Sequence, residues 1–172
     1  MQRFIGSAMI LAATTWAGVL YGKEQQNRLN HMYYLRHIVN MLKGELEYSS
    51  APLGEIFCRI AVRVKEPYRS WMHCLQKQTE RRDEEEFWKI WRAEIEKCLT
   101  EIHLKKEYKD QLKEIGDCIG KMDRMSECKN LQLYLENLDQ EIKKERNELS
   151  DRKRISSCIG VMSGLFLIII LN

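Results

Sequence analysis

The sequence lacks the short motifs that mark common catalytic and nucleotide-binding sites. It has no G-x-x-x-x-G-K-[ST] phosphate loop, no G-x-S-x-G nucleophile elbow and no H-E-x-x-H zinc motif. The 25 acidic residues form many carboxylate pairs, but no second feature singles out one pair as a general acid and base. We therefore predict that the protein is not an enzyme, with no catalytic residue and no cofactor.

Cysteines and histidines at metal-binding spacing are missing as well. The six cysteines are scattered without a C-x-x-C, and the four histidines are equally dispersed. His73 and Cys74 are adjacent, but no second ligand pair follows at zinc-like spacing. The sequence thus predicts no metal site, and unpaired cysteines at irregular spacing favour a reducing compartment.

Strand signals are scarce between residues 23 and 154, and the chain has only two prolines. Apolar residues recur there at intervals of three and four, which is typical of amphipathic helices. Pro52 and Pro67 suit first helical positions, and the aromatic residues Phe87, Trp88 and Trp91 are predicted to enter the core. Six helices are predicted, at about 25–48, from 52, from 67, from 87, at 104–119 and from about 122 onward. The acidic residues 83–86, just before the fourth helix, are predicted to cap it or to form a patch for a partner. This pattern predicts an all-α fold, a six-helix antiparallel bundle.

Charge is nearly absent from both ends of the chain. Ile155 to Leu171 is an uncharged apolar segment of about 26 Å as a helix, and Phe4 to Gly22 is a second one of about 28 Å. We predict that each forms a transmembrane helix flanking the bundle. The alternatives are a cleavable signal peptide for the first segment and a buried core helix for the second. The predicted domains are an N-terminal transmembrane helix at 1–22, a helical bundle at 23–154 and a C-terminal transmembrane helix at 155–172.

The distribution of basic residues predicts the topology. The net charge is +3 and Arg3 is the only charged residue outside 23–154, so that segment carries +2 and offers no electrostatic footprint for nucleic acid. Basic residues near both membrane ends lie on the bundle side, among them the cluster Arg152, Lys153 and Arg154. We expect a two-pass protein of the bacterial cell membrane whose central domain is cytoplasmic.

Small residues recur every fourth position in both apolar segments, a spacing that allows close approach of membrane helices. They could pack on each other or on another membrane subunit. These candidate packing residues are Thr14, Gly18, Gly22, Ser156, Gly160 and Gly164.

Two stretches resemble the signatures of the stage III sporulation protein AB family. Residues 42–55 (LKGELEYSSAPLGE) are similar to its E-I-x-Y-x-x-T-P-L-x-E-A element, and residues 119–127 (IGKMDRMSE) to its L-G-x-S-D-x-x-x-Q element. Ala51 replaces the threonine that would cap the second helix, at a cost of about 1 kcal/mol unless Ser49 or Ser50 substitutes. Met122 replaces the serine before Asp123, and Glu127 stands where glutamine is usual. The motif positions that could form a partner surface are Glu45, Pro52, Leu53, Glu55, Gly120 and Asp123.

The resemblance implies a function. The family's helical domain is similar to the cytoplasmic domain of type II secretion and type IV pilus platform proteins. By that similarity the chain would be a non-enzymatic membrane platform in a channel complex between mother cell and forespore. Its partners would be a cytoplasmic secretion-type ATPase, the other membrane subunits of the channel and membrane lipid. The central domain would lie on the mother-cell side. A homo-oligomer is a further alternative.

A second function of another class is a membrane-anchored sensor or regulator that binds a ligand or a partner protein. A sensor should contain a polar-lined cavity inside the bundle. A platform should have a filled core and carry its contact patches on the outside.

Overall fold

The protein is all-helical wherever its backbone is described. A computed structural model describes the backbone of residues 2–81, 86–100, 102, 104–120 and 123–171, and within these ranges the side chains of residues 23–151. The described residues form six helices and no strand, as the sequence predicts. The helices are α1 Gln2–Tyr48, α2 Leu53–Arg63, α3 Tyr68–Glu80, α4 Phe87–Cys98, α5 Lys106–Cys118 and α6 Arg124–Leu171.

The first and last helices are much longer than the other four. The predicted first bundle helix and the N-terminal apolar segment form one uninterrupted helix, α1. The predicted run of the sixth helix through Arg154 into the C-terminal segment is confirmed, because α6 extends to Leu171.

Both prolines lie one residue before the helix that they were predicted to begin. Pro52 is extended (φ −67°, ψ 155°), and its carbonyl accepts hydrogen bonds from the N–H groups of Glu55 and Ile56. Pro67 likewise precedes α3 and follows a cis peptide bond. The N–H groups at the start of a helix have no acceptor within the helix. A proline, which lacks an N–H, can therefore occupy the N-cap or the first helical position without losing a helical hydrogen bond.

The chain divides into two compact units. One comprises residues 31–140, and the other comprises residues 1–30 together with 141–172. In the 31–140 unit α2 packs on α3, α3 on α4 and α4 on α5. Hydrogen bonds there from Arg36 to Asp139 and from Lys43 to Gln132 show that α1 and α6 run antiparallel. The predicted antiparallel arrangement is thus present for this pair.

The core of the 31–140 unit is apolar and rich in aromatic side chains. Trp71 and Trp91 are fully buried with ring centroids 5.0 Å apart. Phe57 stacks on Phe87 at 6.0 Å. Trp91 therefore occupies the predicted core position, whereas Phe87 and Trp88 are only half-buried.

In the other unit the buried residues with described side chains include both apolar and polar ones. Leu29, Ile142 and Leu149 are buried there together with Gln25 and Glu145. Apolar residues from both ends of the chain therefore contribute to its interior.

Across the residues with described side chains, no helix combines the length and the apolar character that a bilayer crossing needs. The apolar segments at 4–22 and 155–171 lie outside those residues, and so do the small residues Thr14, Gly18, Gly22, Ser156, Gly160 and Gly164. The two spans, their packing residues and the domain boundaries at 22 and 154 stay predictions.

Candidate partner interface at one end of the bundle

The turn between α1 and α2 is organised by an arginine on α2. The Arg59 guanidinium donates to Glu55 Oε1 at 2.7 Å and to Glu45 Oε2 at 3.2 Å, and Arg63 adds a contact to Glu45 at 3.4 Å. The hydrogen bond to Glu55, followed by the one to Glu45, raises the pKa of Arg59. Two predicted motif residues, Glu45 and Glu55, thus share one cation that ties the end of α1 to the start of α2.

The turn between α5 and α6 is held by a glycine and two acidic residues. Gly120 has a positive φ of 83°, a conformation that glycine adopts without steric cost. Its N–H donates to the buried carboxylate of Glu127 at 2.6 Å. Asp123 precedes α6 and its carboxylate accepts from the Ser126 N–H at 3.4 Å, an N-cap contact. A hydrogen bond from the Ser126 side chain, followed by this backbone contact, lowers the pKa of Asp123.

These two turns meet at the same end of the 31–140 unit. The Arg124 guanidinium donates to the carbonyl oxygens of Ser49 and Ala51, the latter at 3.0 Å. A Cβ atom placed on Gly120 would lie 3.7 Å from Leu53 Cδ1. The two motif segments, residues 42–55 and 119–127, are therefore neighbours in space although they lie far apart in the sequence.

Two large apolar side chains stand exposed at this end. Tyr48 is 86% exposed and Met125 is 83% exposed. Both line a cleft of about 310 Å³ together with Arg124. Tyr48 also borders a second cleft of about 450 Å³, which Arg59 lines as well. We call Tyr48, Pro52, Arg124 and Met125 the turn-end surface.

Sequence reasoning placed the motif residues here but missed the apolar pair. Glu45 and Leu53 are partly buried, whereas Pro52, Glu55, Gly120 and Asp123 are exposed. Tyr48 lies two residues after Leu46, off the apolar stripe of α1, and this spacing could have indicated its outward position. Arg124 and Met125 follow Asp123 and carry no comparable signal.

The described cysteines of the bundle are unpaired and half-buried. Three ligand-type side chains nevertheless meet between α3 and α4, namely Cys74, Glu94 and Cys98. Burial, followed by the proximity of Cys74, raises the pKa of Cys98 to about 12. Linear spacing could not find this group, because Cys74 and Cys98 belong to different helices.

Comparison with known proteins gives a consistent result. The family model described as stage III sporulation protein AB matches residues 3–172. Stage III sporulation protein AB of Bacillus subtilis (strain 168) is 28% identical to the chain over 172 residues, covering 99% of both proteins. A solved structure of a stage III sporulation protein AB superposes with a TM-score of 0.65 at 22% identity, covering 72% of this chain and 97% of the solved one. At that identity the solved structure supports the fold alone.

Proposed function

Because this chain belongs to the stage III sporulation protein AB family, we propose that it is a membrane platform subunit of a sporulation channel complex, without enzymatic activity. In this proposal the cytoplasmic bundle docks a secretion-type ATPase on the mother-cell side. The apolar ends of the chain root it in the membrane beside the other channel subunits.

The observation that carries the proposal is the turn-end surface. Two highly exposed large apolar side chains, Tyr48 and Met125, lie together here, one in each family motif. Aromatic, methionine and arginine side chains are enriched in protein interfaces, where they fill pockets of the partner. The ion pairs of Arg59 and the carbonyl contacts of Arg124 hold the backbone under this surface in one conformation. A surface fixed in advance loses less entropy when a partner binds.

The remaining features of the bundle suit a scaffold. The family is a family of sporulation proteins and not a known enzyme family. The buried residues are mostly apolar, and the motif acids Glu45 and Glu55 are engaged by Arg59. Carboxylates in such structural ion pairs contribute to turn geometry and not to proton transfer.

The test is binding of the ATPase to the full-length chain in lipid nanodiscs. The double variant Tyr48→Lys/Met125→Lys should weaken binding by roughly 30-fold or more, since a hot-spot pair contributes about 2 kcal/mol or more. The matched control is Val62→Lys, because Val62 on α2 is also apolar and 75% exposed but lies outside both clefts. It should bind as the unmodified chain does.

Two results would contradict the proposal. Failure of the unmodified chain to capture the ATPase at both low and physiological salt would show that the ATPase is not its partner. Equal capture by the double variant and by Val62→Lys would leave the ATPase as a partner but exclude the turn-end surface as its docking site.

The sensor function is favoured by one observation, a partly polar groove between α5 and α6. It has a volume of about 300 Å³, and Gln111, Asn130 and Tyr134 are among its lining residues. A buried amide oxygen of Gln111 finds no hydrogen-bond partner among the described residues. The groove is open to solvent and not enclosed within the bundle, so the platform remains our conclusion. Ligand-induced stabilisation that Gln111→Leu abolishes, with ATPase binding unchanged, would favour the sensor.

A further inference from the structure

Two cysteines and a glutamate converge between α3 and α4. The sulfur atoms of Cys74 and Cys98 and a carboxylate oxygen of Glu94 all lie within 4.8 Å of one another. Glu94 and Cys98 are four residues apart on α4 and therefore share one face of that helix, which packs on α3. This brings soft and hard ligand atoms from two helices to one point.

The buried glutamate is the unusual member of the group. Glu94 is only 5% exposed, and the hydrogen bond that the structure gives it comes from the Cys98 thiol at 3.4 Å. A thiol is a weak donor, and a buried carboxylate without strong partners is costly. A bound cation would compensate its charge directly. Cys98 also ends α4, where the helix dipole favours positive charge.

From these observations we propose that Cys74, Glu94 and Cys98 form a binding site for a thiophilic divalent cation, with Zn²⁺ as the best fit. Thiolates select zinc over the hard cations magnesium and calcium. In a tetrahedral zinc site the sulfur and oxygen ligands stand about 3.6–3.8 Å apart. Ligand atoms separated by up to 4.8 Å therefore need to approach by about 1 Å, whereas Cys98 Sγ and the Glu94 carboxylate already lie 3.4 Å apart. Both cysteines are half-buried, which leaves the fourth position to water.

The binding step is balanced by proton release. Each cysteine loses its thiol proton to solvent as its sulfur bonds the metal, whereas the carboxylate binds as the anion. No electron is transferred, and the reducing compartment that the sequence predicts keeps both thiols available. The bound ion would cross-link α3 to α4.

The experiment uses the full-length chain, purified in mild detergent under reducing conditions and stripped of metal with a chelator. Titration with Co²⁺ should produce a thiolate-to-cobalt charge-transfer band that saturates at one ion per chain, and Zn²⁺ should displace the cobalt. Cys74→Ser or Cys98→Ser should weaken binding by more than the roughly 10–100-fold that loss of an outer-shell partner costs. The matched controls Cys58→Ser and Cys118→Ser remove half-buried thiols outside the group and should bind normally.

A second variant keeps the test independent of folding. Glu94→Gln removes a charge but retains shape, so its metal-free circular dichroism should match that of the unmodified chain while its affinity falls. Saturating Zn²⁺ should raise the unfolding midpoint of the unmodified chain and of Cys58→Ser, but not that of Cys98→Ser. The proposal is overturned if no charge-transfer band forms, if Cys74→Ser binds cobalt as tightly as Cys58→Ser, or if mass spectrometry of the unreduced chain shows only a Cys74–Cys98 disulfide and no retained metal.

Discussion

Gly116 is a glycine on which helix packing depends. A Cβ at this position would lie 2.4–2.8 Å from three side-chain atoms of Trp91, closer than packed atoms approach. Gly116 is buried within α5. Trp91 on α4 donates from Nε1 to the carbonyl of Leu112, which is also on α5, at 2.8 Å. The missing side chain is therefore what allows the indole to lie against α5.

We expect Gly116→Ala to lower the free energy of unfolding by about 1–3 kcal/mol, because the added methyl overpacks a fully buried indole. The control is Gly44→Ala. Gly44 is helical too, but no atom lies within 4 Å of the site of its Cβ, so alanine should stabilise there by about 0.5–1 kcal/mol through helix propensity. Urea denaturation of both variants in detergent measures the two effects. Equal effects of the two substitutions would show that Trp91 does not constrain Gly116.

Two departures from the family pattern have local explanations. Glu127 stands where the family usually has glutamine, and its Oε1 accepts the N–H of Gly120. A glutamine side chain offers the same acceptor oxygen, so the turn can form with either residue. Ala51 was expected to remove a helix cap, but Pro52 is the residue at the N-cap of α2, with no side-chain cap bond. Ser49 Oγ accepts from the Ala51 N–H at 3.1 Å and so stabilises the turn instead. Met122 lies outside the described residues.

The packing of α3, α4 and α5 is centred on two tryptophans with different hydrogen bonding. Trp71 on α3 and Trp91 on α4 are both fully buried. Trp91 Nε1 has an acceptor on α5, whereas Trp71 Nε1 finds none among the described residues. A buried donor without a partner costs about 1–3 kcal/mol. The indole of Trp71 should therefore stabilise its helix contacts less than the indole of Trp91 does.

Phenylalanine substitution should separate these contributions. Trp71→Phe loses packing but also removes an unsatisfied N–H, whereas Trp91→Phe loses similar packing and leaves the Leu112 carbonyl without its donor. We expect Trp91→Phe to be the more destabilising change by about 1–3 kcal/mol, measured as the difference in unfolding free energy. Equal losses, or a larger loss for Trp71→Phe, would mean that the N–H of Trp71 is satisfied in solution.

Apolar periodicity predicts the helices well because each helix buries one stripe. Leu35, Leu42 and Leu46 of α1 recur at the spacing that predicts this helix, and all are buried. Spacing within one helix does not show which helices become neighbours. It therefore could not place Arg124 on the Ser49 carbonyl, 75 residues away, or bring Cys74 to Glu94. The candidate surfaces depend on such contacts, and for this reason only the motif residues could be predicted.

The charge asymmetry of the chain as a whole predicts which side of the membrane the bundle occupies. Every acidic residue and all basic residues except Arg3 lie between the two apolar segments. Lys and Arg near membrane ends are retained on the cytoplasmic side, so the bundle should face the cytoplasm and both termini the outside. The ATPase partner that we propose requires this orientation, because a cytoplasmic ATPase cannot reach a bundle on the other side.

Cysteine labelling can test this orientation in the full-length chain. Val62→Cys places a thiol at a 75% exposed position of the bundle, and Gln2→Cys places one at the N-terminus. With a membrane-impermeant maleimide on intact cells, labelling above that of the unmodified chain should appear for Gln2→Cys, and for Val62→Cys only after permeabilisation. Labelling of Val62→Cys in intact cells would place the bundle outside. Recovery of the unmodified chain in the supernatant of carbonate-washed membranes would show that the chain is not anchored in the membrane. Either result would exclude a platform for a cytoplasmic motor, since such a platform needs both the anchor and the inward-facing bundle.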